Sequence, residues 1–361
     1  MKRILALDGG GIRGVFTLEV LLHVQTMLRE HYGSPEMVLA DHFDFFAGTS
    51  TGAIIATCLC WGMEVETVLD LYSRFGGTMF TRIPWYNPIK RLLVSKYEAK
   101  PLSDMLRRMF SEDGEGKEPS LIDTERLRKL LLVVVRNHST GSAWPLTNNP
   151  MAKYNDAGLA DCNMKIPLWK VLRASTAAPV YFDPEKITLG GRTQIFVDGS
   201  ITPYNNPALI AALTAVLPCY RLNWPAGPEK IRIVSMGTLR FSSGLPEKVR
   251  KLWVGYNAAK IPPALIQGIA WEQDYLCRCL GECLYGEPLD GEIGDMMGVP
   301  LPGERWFSYV RYNRSYDAAK AEALLRDYPT LSQLDAIAAI PQLREMGRAY
   351  AEEHVRLEHL I

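Results

Sequence analysis

The sequence predicts an α/β protein with a mainly parallel central sheet and helices on both faces of that sheet. In the first two thirds of the chain, short apolar runs that fit buried strands alternate with segments that carry apolar residues at helical spacing. After about residue 240 the pattern becomes mostly helical. We therefore predict a core domain of residues 1–240 and a mostly helical extension of residues 241–361 that packs on it.

The first predicted strand, residues 4–7, leads directly into a glycine-rich loop. Residues 8–14 read Asp-Gly-Gly-Gly-Ile-Arg-Gly, and apolar residues recur at helical spacing over residues 15–28. Such a junction leaves several backbone N–H groups free at the start of a helix, where they can stabilise a negative charge. The loop is a candidate anion-stabilising site.

The same glycines also match a dinucleotide-binding fingerprint. Gly9, Gly11 and Gly14 satisfy G-x-G-x-x-G, and Glu30 lies near the position of a ribose-binding acid. The fingerprint is weak on its own, and an acid at the end of the strand and an arginine at the start of the helix do not fit it. We therefore favour a different chemistry for this loop.

A serine framed by two glycines follows the next predicted strand. Residues 43–47 fit a strand, residues 48–52 read Gly-Thr-Ser-Thr-Gly, and residues 53–59 fit a buried helix. This is the pattern of a nucleophile elbow, although an ordinary tight turn is the alternative when the motif is taken alone. Together, the elbow and the glycine loop supply a nucleophile and oxyanion donors, as acyl transfer requires.

No histidine stands where the triad of an ordinary α/β-hydrolase would place one. The six histidines occupy predicted helices, loops and the charged C-terminal segment: His23, His31, His42, His138, His354 and His359. A carboxylate is the alternative base, because the strand-like run 195–197 ends in Asp198-Gly199-Ser200. An Asp-Gly pair is also a common hairpin turn, so from this run alone both readings stay open.

These motifs, in this order, resemble the patatin-like phospholipases. Two further segments fit the resemblance, residues 173–182 (Arg-Ala-Ser-Thr-Ala-Ala-Pro-Val-Tyr-Phe) and residues 235–238 (Ser-Met-Gly-Thr), so that it covers about residues 1–240. It implies a three-layer patatin-like fold and a metal-free Ser–Asp dyad of Ser50 and Asp198. The resemblance also implies supporting residues around the dyad: an oxyanion hole of Gly9, Gly10 and Gly11 with Arg13 beside it, and an elbow framed by Gly48 and Gly52.

Within that family, the size and the helical C-terminal third are most similar to the cyclic-oligonucleotide-activated phospholipases of bacterial anti-phage (CBASS) systems. The resemblance implies an effector that degrades membrane phospholipid once a cyclic di- or trinucleotide binds, with no other cofactor. A constitutive lipid acyl hydrolase and a non-catalytic nucleotide-binding module are the alternatives. The sequence does not indicate the residues that bind the activator, and a homodimer is possible.

The charge balance and the apolar character of the sequence limit the kinds of partner that we expect. The 361 residues carry 40 basic and 40 acidic side chains, so no bulk charge attracts nucleic acid, and we expect no DNA or RNA partner. Without an N-terminal leader or an apolar run of about 20 residues, we expect a cytoplasmic protein that contacts the inner membrane peripherally when active. Seven cysteines fit a reducing compartment. Cys277, Cys279 and Cys283 fit core packing better than a zinc site.

Two segments combine aromatic and basic residues in the way that suits a membrane interface. Residues 82–97 contain Trp85 and Tyr86 together with basic residues and no acidic one. Residues 248–260 contain Trp253 and Tyr256. For the first segment, a loop packed on the core is an equal alternative. For the second, a buried amphipathic helix is favoured.

The C-terminal third carries its own predicted elements. Residues 245–284 fit helices with a break at Pro262 and Pro263, and residues 306–312 alternate like a strand. Residues from 317 onward fit helices again.

Overall fold

A computed structural model describes residues 1–83, 95–111, 118–121, 125–241 and 254–361. The strands are β1 (Lys2–Leu7), β2 (Phe45–Thr49), β3 (Leu130–Asn137), β4 (Ser142–Thr147), β5 (Glu185–Leu189), β6 (Arg192–Asp198), β7 (Ile231–Met236), β8 (Arg240–Phe241), β9 (Glu282–Tyr285), β10 (Ser308–Tyr312) and β11 (Ser315–Tyr316). The α-helices in the described ranges are α1 (Gly14–Tyr32), α2 (Leu39–His42), α3 (Thr51–Cys60), α4 (Val65–Met79), α5 (Ala99–Met109), α6 (Leu168–Ser175), α7 (Ala208–Val216), α8 (Val254–Leu280), α9 (Ala318–Asp327) and α10 (Ile340–His354).

One large sheet organises the molecule. Its strand order is β5-β6-β3-β2-β1-β7-β10-β9, and β4 pairs with β3 beside this path. The six strands from β3 to β9 run parallel, whereas β4, β5 and β6 form the antiparallel pairs. The prediction of a mainly parallel central sheet is confirmed.

Helices cover both faces of the sheet, which explains why residues 4–7 of β1 and 130–135 of β3 are apolar without alternation. Leu5 and Leu7 of β1 enter an apolar cluster that contains residues of α1, α3, α6 and α10. Ile4 and Ala6, which alternate with them, enter a second cluster that contains residues of α7 and α8. Successive side chains of a strand point to opposite faces, so a strand buried on both faces needs no polar alternation. The three-layer prediction is confirmed.

The C-terminal region carries strands as well as helices. It contributes β9 and β10 to the central sheet, where β10 pairs with β7 in parallel register. The sheet thus crosses the predicted boundary at residue 240. The predicted break at Pro262 and Pro263 is wrong, because α8 runs through both prolines. A proline removes its own N–H from the helical ladder, and a long helix can continue past that loss.

The predictions about lipid contact fall largely outside the described residues. Residues 84–94 and 248–253 are not described, so both interface segments stay predictions. In the described ranges, no helix combines the length and the apolar character that crossing a membrane demands. Of the three clustered cysteines, Cys277 and Cys283 are buried, and Cys277 packs in the second apolar cluster.

Candidate active site

Two strand ends meet along one edge of β3. Thr49, the last residue of β2, pairs with Val134 of β3 in parallel register. Asp198, the last residue of β6, pairs with the next residue, Val135, in antiparallel register. Because β2 and β6 approach this point from opposite directions, the residue after β2 and the last residue of β6 come face to face. The two predicted dyad residues, far apart in sequence, are thereby brought together.

Ser50 occupies a strained turn between β2 and α3. Its φ of 55° and ψ of −124° put a non-glycine residue at positive φ, a conformation that costs about 1–3 kcal/mol and persists only where the surroundings impose it. A Cβ on Gly48 would lie 2.3 Å from the Gly52 carbonyl oxygen, and a Cβ on Gly52 would lie 2.2 Å from the Leu7 carbonyl oxygen. The two framing glycines are therefore required for close backbone contact at the elbow.

The Ser50 hydroxyl donates a hydrogen bond of 2.7 Å to Oδ2 of Asp198. No histidine lines the cavity around this pair in the described residues. His42 instead bonds the Leu360 carbonyl oxygen, and His359 bonds the Tyr312 hydroxyl. The serine that the sequence singled out therefore has a carboxylate as its partner, as the dyad prediction requires.

Burial sets the electrostatics of Asp198. The residue is 1% exposed, and this burial raises the pKa of its carboxyl from 3.8 to about 6, against hydrogen bonds from Ser200 and Ser50 that lower it. The Ser200 backbone N–H donates to Oδ1 at 2.7 Å. A Cβ on Gly199 would lie 2.3 Å from the Val134 carbonyl oxygen. Asp198 is thus a fixed carboxyl that is a stronger base than an exposed aspartate.

Ser175 holds the backbone of the elbow through two hydrogen bonds. Its Oγ accepts the Ser50 backbone N–H at 2.9 Å and donates to the Val134 carbonyl oxygen at 2.7 Å. Ser175 is fully buried. Sequence reasoning assigned it no role, although it lies within residues 173–182, the segment that contributed to the family resemblance.

The glycine loop lies across from the elbow, and its three glycines differ in the hydrogen bonds that their backbone N–H groups make. The Gly9 N–H donates to the Asn205 carbonyl oxygen at 3.2 Å. In the described part of the chain, the N–H groups of Gly10 and Gly11 donate to no acceptor. Of the three predicted oxyanion donors, only Gly10 and Gly11 therefore have amides free in this conformation.

Close contacts restrict this loop to glycine. A Cβ on Gly10 would lie 2.1 Å from Oγ1 of Thr238, and Gly11 has a φ of +59° and faces the Leu334 carbonyl oxygen. The Thr238 hydroxyl also donates to the Gly9 carbonyl oxygen at 3.1 Å. Leu334, which lies beyond the predicted core domain, thus helps to shape the loop.

A buried ion pair anchors the start of the loop. Arg311 of β10 donates to both carboxylate oxygens of Asp8, at 2.8 and 2.6 Å, and to the Ser235 hydroxyl at 2.7 Å. Both partners of the ion pair are almost completely buried. No local sequence pattern connects Arg311 with Asp8, because about 300 residues separate them.

A cavity of about 1000 Å³ opens at the dyad. Ser50, Asp198 and the glycine loop line it, and so does Val180, which is 74% exposed and has a φ of +73°. Positive φ is a rare conformation for a β-branched residue. The volume is in the range of small-molecule sites, so an acyl ester has room beside Ser50.

The fold and the site define a class of protein. The model of the patatin-like phospholipase family matches residues 5–212, which is more than half of the chain. The chain belongs to the patatin-like phospholipase family.

Three curated proteins of known name are similar to this chain. Two are named cGAMP-activated phospholipase: the Vibrio cholerae protein is 28% identical over 66% of this chain and 64% of its own length, and the Escherichia coli protein is 28% identical over 70% and 67%. The third, from Arabidopsis thaliana, is named probable inactive patatin-like protein 9 and is 28% identical over 74% of this chain and 68% of its own length. The chain matches about two thirds of the length of each relative.

Proposed function

We propose that this chain is a lipid acyl hydrolase that cleaves phospholipid esters with Ser50 as nucleophile and Asp198 as base. One observation carries the proposal: the Ser50 hydroxyl donates to the buried Asp198 carboxylate at 2.7 Å, on a strained elbow. Family membership supports it. Because one relative is named probable inactive, however, family membership alone does not support activity, and the proposal depends on the geometry of the site.

In the acylation step, Ser50 Oγ attacks the ester carbonyl carbon while its proton passes to Oδ2 of Asp198. The carbonyl oxygen becomes an oxyanion and accepts hydrogen bonds from the free N–H groups of Gly10 and Gly11, with Arg13 nearby. The bond to the leaving alcohol then breaks, and Asp198 returns the proton to the departing oxygen. The products are an acyl-serine and a deacylated lipid.

In the second step, a water molecule replaces the alcohol. Asp198 takes one proton from the water as its oxygen attacks the acyl carbon, and the same glycine amides hold the new oxyanion. Ser50 Oγ leaves and recovers the proton from Asp198, which releases a fatty acid. A base works best when its pKa lies near the working pH, and burial moves the Asp198 pKa in that direction.

We further propose that binding of a cyclic nucleotide switches the enzyme on. The two bacterial relatives named cGAMP-activated phospholipase support an activator of the cyclic di- or trinucleotide class. On this hypothesis the active enzyme contacts the inner membrane peripherally and degrades its phospholipid in anti-phage defence. The exposed Val180 at the cavity supports access for lipid.

Hydrolysis of a fluorogenic phospholipid tests both parts. The reaction is run with and without a panel of cyclic di- and trinucleotides, with Ser50→Ala as the blank. We expect the loss of Ser50 to lower turnover by at least about 10³-fold. Activity with only one nucleotide supports the switch, and activity without any favours the constitutive hydrolase. No Ser50-dependent hydrolysis under any condition would refute the enzyme proposal.

A further inference from the structure

The cavity at the dyad continues into a polar compartment. Beyond the glycine loop its walls come from the turn after β7, from α8 and from the C-terminal strands. Five charged side chains line this end beside apolar ones: Arg240, Asp274, Arg278, Glu287 and Arg311. No step of the proposed hydrolysis uses these five side chains.

Most charged groups along the cavity are paired with a neighbour of opposite sign. The ion pairs are Arg311–Asp8, Arg278–Asp274, Arg314–Glu287 and Lys96–Asp335. Apart from Asp198 of the dyad, this pairing leaves two guanidinium groups among the described lining residues, Arg13 and Arg240. The described lining as a whole is neutral, with five basic and five acidic side chains, but within it Arg13 and Arg240 have no carboxylate bound to them.

Neither arginine has a carboxylate partner. Arg13 donates only to the carbonyl oxygens of Gly10 and Leu239, both at 3.4 Å. Arg240 makes no ion pair and no side-chain hydrogen bond in the part of the chain that the structure describes. Burial lowers the pKa of both guanidinium groups, that of Arg13 to about 10. A partly buried cation without a counter-charge favours the binding of an anion.

Arg13 contacts the turn that carries Arg240. Arg13 donates to the carbonyl oxygen of Leu239, the residue immediately before Arg240. Leu239 has a φ of +71°, and its N–H donates to Oδ1 of Asn313 at 3.1 Å. Residues held in such unfavourable backbone conformations cluster at functional sites. Arg240 then pairs with Ser315 in a short parallel ladder, which anchors this turn at the cavity.

We infer that Arg13 and Arg240 bind one phosphodiester group in the polar compartment. Guanidinium groups suit this ligand, because their planar N–H donors match the geometry of phosphate oxygens. In a glycerophospholipid, only the glycerol unit separates the acyl ester from the phosphodiester. An ester carbonyl at Ser50 therefore leaves the phosphate near the glycine loop that carries Arg13. The inference rests on the proposed function, and a cyclic dinucleotide would offer the same group.

Binding to the Ser50→Ala protein tests this site without any turnover. The probes are dihexanoyl phosphatidylglycerol, the uncharged dihexanoylglycerol, and cGAMP, each titrated calorimetrically. We expect Arg240→Gln to raise the Kd of phosphatidylglycerol about 10-fold or more, and to leave that of dihexanoylglycerol unchanged. Arg240→Lys keeps the charge and should retain part of the affinity. Arg192→Gln, an exposed residue at the start of β6, is the matched control.

The titrations with phosphatidylglycerol and cGAMP distinguish the lipid from the nucleotide as the source of the phosphate. A Kd that rises for phosphatidylglycerol alone assigns the site to the lipid headgroup, and a Kd that rises for cGAMP alone assigns it to the nucleotide. Unchanged affinity for both, in an Arg240→Gln protein with an unaltered circular dichroism spectrum, overturns the inference. If Arg240→Gln does not fold, Arg240→Lys is titrated in its place; a partial loss of affinity is then expected, and a Kd unchanged for both phosphate ligands overturns the inference. Because these titrations need no hydrolysis, a failure of the proposed enzyme activity is detected separately.

Discussion

Burial of Asp198 predicts that activity and stability depend on pH in opposite directions. The folded chain holds the carboxyl at a pKa of about 6 rather than 3.8, mainly through burial. Only the ionised form can accept the Ser50 proton. We therefore expect kcat/KM to rise with pH through a midpoint near 6, whereas an aspartate with an ordinary pKa would already reach its plateau by about pH 5.

The same shift lowers folding stability at neutral pH. A pKa raised on folding means that the ionised carboxylate is less favourable in the folded chain than in the unfolded chain. The penalty is present in full above the folded pKa, and it disappears as the pH falls through about 6 toward 3.8. Linkage gives a penalty of about 3 kcal/mol at pH 8 and about 1.5 kcal/mol at pH 5.

Asp198→Asn tests both effects in one variant. Asparagine cannot ionise, its Oδ1 can still accept the Ser200 N–H, and its Nδ2 can donate to Ser50. We expect chemical denaturation to show a gain in the free energy of unfolding that is larger at pH 8 than at pH 5, by about 1.5 kcal/mol. Hydrolysis should fall about 10²- to 10⁴-fold. A midpoint of activity near pH 4, or a variant less stable at both pH values, would refute this reasoning.

Three further substitutions test the supports of the site. Gly10→Ala places a Cβ 2.1 Å from Oγ1 of Thr238, so displacement of the amide should lower kcat about 10²- to 10³-fold; Gly77→Ala, with nothing within 4 Å, should retain the wild-type kcat. Ser175→Ala removes the acceptor of the Ser50 N–H, so the free energy of unfolding should fall by about 1–3 kcal/mol, and an unchanged value in urea denaturation would contradict this role. Arg311→Met leaves a buried carboxylate unpaired and should cost about 3–5 kcal/mol, measured as a lower thermal midpoint; adding Asp8→Asn should restore part of it.

The elements around the two glycine motifs could be read from local sequence. The predicted strands at residues 4–7 and 43–47 correspond to β1 and β2, with β2 two residues later than predicted at both ends. The predicted helices that follow them correspond to α1 and α3. Strand length, continuous apolar character and glycine at close approaches are all local properties, so a single sequence reveals them.

The position of β10 could not be read in the same way. Residues 306–312 alternate, which is typical of a strand with one exposed face, yet all five residues of β10 are buried. The strand lies between β7 and β9 inside the sheet. Its polar Arg311 is accommodated there because Asp8 and Ser235 accept hydrogen bonds from its Nη1 and Nη2 groups. That partner lies at the other end of the chain, and no local pattern indicates it.

The sequence by itself determined the chemistry that is possible here: a serine on a glycine-framed turn, a glycine-rich loop and an Asp-Gly strand end. Each is a constraint on a few consecutive residues. Tertiary structure decided which of them meet. The antiparallel approach of β6 to β3 puts Asp198 opposite Ser50, and the contact with Asn205 leaves two of three glycine amides free. Strand order and long-range pairing depend on packing across the whole chain, so only the folded molecule reveals them.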